Sequence, residues 1–111
     1  MPARHPDRDQ IVLEDVLVAL GHPIRLRIVE ALGALPPGGE QACGSILGDN
    51  SVGKSTLTHH WRVLRDSGVI NQRPSGRENQ LSLRRADLDA RFPGFLDTVL
   101  NAVAAQHGTS P

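Results

Sequence analysis

The alternation of apolar and polar positions divides the chain into stretches of different period. Ile11 to Leu20 is apolar nearly all the way round, broken only by Glu14 and Asp15. A helix apolar on so many sides must be covered from two directions, and in so short a chain one cover is expected to be a partner subunit. Gly21 ends this helix, and Pro23 suits the first turn of the next, where its missing N–H would be unpaired anyway. His22 reads as the residue that starts that second helix. Ile24, Ile28 and Leu32 then share one stripe flanked by Arg25, Arg27 and Glu30. Residues 34–39, ALPPGG, are a loop signal. Gln41 to Leu47 is read as a short helix carrying Ala42, Ile46 and Leu47, broken by the turn Gly48-Asp49-Asn50-Ser51.

The stretch from Lys54 to Ser67 has two faces. With Leu57 at zero and about 100° per residue, His60, Trp61 and Leu64 lie within about 60° of it. By the same arithmetic Ser55, Thr58, His59 and Arg62 fall between about 100° and 200°. One face is core, with Trp61 in it; the other is a row of hydrogen-bond donors and a guanidinium. Ser67-Gly68 closes the helix, glycine supplying the left-handed residue past its end. Val69 to Gln72 and Asn79 to Leu83 read as strands joined by the turn Pro74-Ser75-Gly76-Arg77, with Leu81 and Leu83 on one face. A lone hairpin must lean on the helices. Ala86 to Arg91 forms a helical turn, Phe92-Pro93-Gly94 interrupts it, and Phe95 to Gln106 is a last helix with Phe95, Leu96, Val99, Leu100 and Val103 along an apolar arc.

These elements predict a mostly α, α+β fold: a winged helix-turn-helix of about five helices with a two-stranded hairpin wing, working as a dimer. Residues 1–10 are expected to be a flexible arm, 11–106 the binding and dimerisation domain, and 107–111 a loose tail. The 111 residues suffice for one hydrophobic core. Nothing approaches the ~20 consecutive apolar residues of a membrane span, and the N-terminus lacks the apolar core of a signal peptide. A cytoplasmic protein is expected. The single cysteine, Cys43, excludes an internal disulfide and any multi-cysteine zinc site.

Formal net charge is zero, but its distribution is not even. Residues 54–85 hold Lys54, Arg62, Arg65, Arg73, Arg77, Arg84 and Arg85 against Asp66 and Glu78, a net of +5, and the remainder carries −5. Such asymmetry is the footprint of a nucleic-acid-binding surface, with a chance cluster on a solvated face as the bland alternative.

Gly48, Gly53, Lys54 and Ser55 also spell G-x-x-x-x-G-K-S, the phosphate-cradling P-loop. That loop needs a preceding buried strand, a parallel sheet and a downstream acid to hold magnesium. Here QACGSIL precedes it, and no later apolar strand ends in Asp. The DNA reading has the context the P-loop lacks. Lys54 and Arg62 can meet phosphates or guanine edges. Ser55, Thr56 and Thr58 can donate to phosphates near a helix N-terminus whose free N–H groups favour anions. His59 can do either, and Arg77 at the hairpin tip with Arg73 on its stem can touch the backbone or a minor groove.

ALGHPIRLRIVEAL (19–32), KSTLTHHWRVLRDSGVI (54–70) and GRENQLSL (76–83) resemble the ArsR/SmtB family of winged-helix repressors, over about residues 11–105. The resemblance implies a homodimer held by the first and last helices, a palindromic double-stranded DNA operator, and repression relieved by an inducer. Ile11, Val12, Val16, Leu96, Leu100 and Val103 are the expected dimer contacts. Trp61 stands where the family pattern usually has Leu, and Gly53 replaces a common Ser or Gln. The family's metal sites do not transfer. Its thiolate pair aligns with Ala42 and Gly44, with Cys43 between them on the wrong side of the helix. Its final-helix pattern needs histidines that Asp97 and His107 do not supply. Consecutive His59 and His60 point about 100° apart and cannot chelate one ion together. No metal, cofactor or enzymatic activity is expected, since no nucleophile has a base and an orienter. Cys43 is read as a small buried hydrophobe, with a redox switch as the alternative. The inducer, a small molecule or a redox signal, stays open. A winged-helix module for protein–protein contact is the second reading, disfavoured by the local positive charge.

Overall fold

The apolar stripes close on one another around Trp61, the largest fully buried side chain. The computed structural model describes residues 5–47 and 52–107. Among them are five helices, α1 (Leu13–Leu20), α2 (Pro23–Gly33), α3 (Lys54–Ser67), α4 (Arg85–Arg91) and α5 (Phe95–Gln106). Three short strands, β1 (Gln41–Ala42), β2 (Ile70–Ser75) and β3 (Glu78–Leu83), form an antiparallel sheet in the order β1-β3-β2. Ile28, Val29 and Leu32 of α2, Leu57 and Leu64 of α3, and Val69, Ile70 and Leu81 at the sheet make the centre of the core.

The hairpin follows from its turn residues. Gly76 has φ +61°, while among the described residues none other than glycine has positive φ, the pattern of a type II′ turn with glycine first. Pro74 sits on the edge strand β2, where its missing N–H costs no ladder bond.

The segment expected to be a short helix from Gln41 is not one. Gln41 and Ala42 are extended and pair with Leu81 and Gln80 of β3, adding a third strand to the expected two. Only Cys43–Ser45 turn, as a single 3-10 turn. Seven residues with a central glycine cannot hold a helix unaided. Pairing with β3 satisfies their backbone, and Gln41 Nε2 donates to Ser45 Oγ across the turn at 2.9 Å. The expected turn at 48–51 lies outside the described residues.

The N-terminal arm is docked from His5 onward. The Gln72 backbone N–H, on the open edge of β2, donates to His5 Nε2 at 2.8 Å. Arg84 Nη1 donates to the Pro6 carbonyl at 2.7 Å, and Arg8 Nε to Asp87 Oδ1 at 2.7 Å. The hydrogen bond from Arg8, then that from Arg84, holds the Asp87 carboxyl below the usual carboxylate range. At the other end His107 Nδ1 stands 3.0 Å from Glu30 Oε1, so the tail is tied down at its first residue.

The expected dimer contacts do not share one surface. Ile11, Val16 and Leu96 are packed into their own chain, at most 1 % exposed, whereas Val103, 5 % exposed, lines a groove with Leu17, Val99 and Ala102. Leu100 is half-buried, its side chain against Gly33. The exposed apolar side chains of α1 and its entry are Val12, Leu13, Leu17 and Val18, from 37 % to 72 % exposed. The apolar run is wider than one core-facing stripe, and the residues pointing away from the core are these four.

Gly68 seals α3 against the arm. Its φ is +91°, and a Cβ there would lie 2.6 Å from Ile11 Cγ1 and 2.8 Å from Ile11 Cδ1. Ile11 is buried and has nowhere to go. Gly68→Ala should cost about 2–4 kcal/mol, combining left-handed strain with overpacking. Gly53→Ala, at φ −62° with open space around it, should stay within about 0.5 kcal/mol. Urea unfolding of both variants checks this; equal midpoints would refute it.

Candidate nucleic-acid interface

α3 buries Leu57, His60, Trp61, Leu64 and Ser67. The 3.6-residue period then turns Ser55, Thr58, His59 and Arg62 outward, where they line one open groove with Val63 and Asp66. Lys54, Ser55 and Thr56 are exposed in the first turn. Gly53 caps that turn without a side-chain hydrogen bond, so the first N–H groups of α3 remain open to an anion.

The arginines of the basic segment have different roles. Arg84 is buried and donates to Asp87 and Pro6, which makes it structural. Arg85 pairs with Asp97 at 2.8 Å. Arg65 donates to Asp66 Oδ1 at 2.9 Å and to Gln72 Oε1 at 2.8 Å. Arg73 grips Glu40. Lys54 and Arg62 on α3 and Arg77 at the wing tip have no hydrogen-bond or ion-pair partner among the described residues. The Arg62 guanidinium lies 5.7 Å from the centre of the Trp61 ring, so its stem is supported while its donors stay outward.

Behind the exposed face stands a histidine cluster that the sequence pattern did not reveal. Arg25 Nε donates to His60 Nδ1 at 3.2 Å, which places the His60 proton on Nε2. Arg25 Nη1 also reaches the Val18 and Ala19 carbonyls at the end of α1, each at 3.4 Å. Arg25 thus ties α1 and α2 to the inner face of α3. The His22 ring centre lies 4.3 Å from that of His60, and the His59 ring centre 5.1 Å away. His22 also caps α2, accepting from the Ile24 N–H at 3.1 Å. A buried histidine on the core side of a helix needs a polar partner, and that need was the only available signal.

A helix-turn-helix domain family matches residues 20–73. The HTH-type transcriptional regulator YceK of Bacillus subtilis is 30% identical over 91 residues, covering 82% of this chain and 89% of that protein. The transcriptional repressor BigR from Xylella fastidiosa superimposes with a TM-score of 0.61 at 26% identity, over 84% of this chain and 83% of that one. A possible transcriptional regulator for arsenical resistance gives 0.57 at 28% identity, over 86% and 97%. The chain belongs to the ArsR-type winged helix-turn-helix transcriptional regulators.

In this regulator Cys43 is half-buried, with Sγ 3.9 Å from Glu78 Oε1. Among the described residues no three His, Cys, Asp or Glu side chains are placed to hold a metal ion. No helix among them is long and apolar enough to cross a membrane.

His60 gives the regulator an acid-labile joint. Burial first, then the charges of His22, Arg25 and His59, lower its pKa from 6.5. As pH falls below that value the unfolded chain takes up a proton that folded His60 still refuses. Stability is therefore present above 6.5 and is lost as pH falls towards the folded pKa. Between about pH 7.5 and about pH 5.5 the wild-type melting temperature should fall more than that of His60→Gln. Parallel falls in a thermal melt would show that His60 contributes nothing.

Proposed function

We propose that this regulator is a cytoplasmic homodimer that represses transcription from a palindromic double-stranded DNA operator. The observation that carries the reading is the outward face of α3. Ser55, Thr56, Thr58, His59 and Arg62 are arrayed there behind an N-terminus with no side-chain cap, beside Lys54, which has no partner among the described residues. α3 would lie in the major groove, with Lys54, Ser55 and Thr56 on phosphates and Thr58, His59 and Arg62 facing base edges or backbone. Arg77, with Arg73 behind it, would touch the flanking backbone or minor groove. The protein needs no cofactor for this, and an inducer would release it from the operator.

The dimer reading rests on a different surface. One module of this size reads too few base pairs for a specific site, so two copies are required, with half-sites about 10 bp apart or a multiple of that. Val12, Leu13, Leu17 and Val18 are exposed on and beside α1. Leu17 and Leu20 continue into a groove with Phe95, Val99 and Ala102 of α5. A second copy laid along this strip would bury side chains that one chain leaves in water.

Affinity for a random-sequence duplex should fall steeply with salt. Arg62→Ala should weaken it about tenfold and flatten the log–log salt slope by about one, with the unfolding midpoint nearly unchanged. Undiminished binding in fluorescence anisotropy would sink this placement of α3. Leu17→Glu should turn the dimer into a folded monomer in sedimentation velocity. An intact dimer of the variant, or a monomeric wild type, would reject the α1 interface.

A further inference from the structure

On the wing, one expected DNA contact is already engaged. Arg73 Nε donates to both oxygens of Glu40, at 3.2 and 2.9 Å, and its Nη2 donates to Oε1 at 2.7 Å. Glu40 stands immediately before β1, and the pairing of β1 with β3 brings it to the sheet. The arrangement is a planar guanidinium fork against a two-oxygen anion, the geometry in which arginine also takes a phosphate.

The pair does little for the fold. The Arg73 side chain is 57% exposed and that of Glu40 30%. Exposed ion pairs contribute little to stability, because both groups are well solvated apart. Its effect on an approaching duplex is larger. It neutralises one cation of the basic segment and fixes a carboxylate where a phosphate oxygen would have to sit. Arg77, farther out on the same hairpin, carries no such partner among the described residues.

Building on the DNA-binding reading, we propose that Glu40 is a built-in competitor of DNA phosphate for Arg73, holding back the wing's contribution to affinity. On a duplex that does not seat the wing closely, Glu40 keeps the guanidinium and repels the backbone. On one that does, a phosphate takes its place. Discrimination then comes partly from a repulsive element directed against the wrong duplex. The hydrogen bond from Arg73 lowers the Glu40 carboxyl below the usual carboxylate range, so the competitor stays charged at neutral pH.

The test is anisotropy with a labelled random-sequence duplex of about 30 bp, some three turns of B-DNA, titrated at several salt concentrations. Glu40→Gln should bind about two- to fivefold more tightly at low salt, with a log–log salt slope steeper by about one as Arg73 gains a phosphate. Glu40→Ala should show the same gain, and adding Arg73→Ala to Glu40→Gln should abolish it. Affinity of Glu40→Gln at or below wild type overturns the proposal, as does a gain that persists without Arg73. If wild type and variants alike fail to bind at low salt, the DNA reading fails and this one with it.

Discussion

The rotation of α3 about its own axis is the constraint on which the remaining structure depends. Burying Leu57, Trp61 and Leu64 allows that helix only one angular setting, and the setting decides which side chains face out. The same burial joins α3 to α1, α2 and the sheet, so the wing and the exposed helix face are carried by one core. Arg25 reinforces the joint from behind, bonding the end of α1 and His60 at once. A change at this joint would move the outward face without touching it.

Charge in the basic segment is sorted by tertiary pairing. Arg84, Arg85 and Arg65 secure the arm, α5 and the start of the sheet. Among the described residues Lys54, Arg62 and Arg77 have no such partner, and Arg73 stands between the two groups because it is held by Glu40 at the surface. A count of charges over residues 54–85 therefore overstates what a duplex would meet. The sign and place of the patch survive, but its strength depends on pairings with Glu40, Asp87 and Asp97, all outside that segment.

Most of the fold was legible because its signals are local. The 3.6-residue period placed α3, Gly68 ended it, Gly76 turned the hairpin, and Pro23 opened α2. The strand Gln41–Ala42 was not legible, since a two-residue strand has no period and its conformation is set by Leu81 and Gln80 far along the chain. The docked arm escaped for the same reason: polar, proline-bearing residues look mobile until the open edge of β2 offers Gln72 N–H to His5.

By itself the sequence determined the helix-turn-helix context, the two faces of α3 and the arginine at the hairpin tip, each from residues within one or two turns of one another. Only the tertiary structure decided which apolar residues of α1 face outward. It also decided which arginines are already paired and that His60 leans on Arg25. Arg73 meets Glu40 across 33 positions, Arg84 meets Pro6 across 78, and Arg8 meets Asp87 across 79. Contacts that span such separations leave no period in the sequence, because they depend on where the packed elements bring their side chains together.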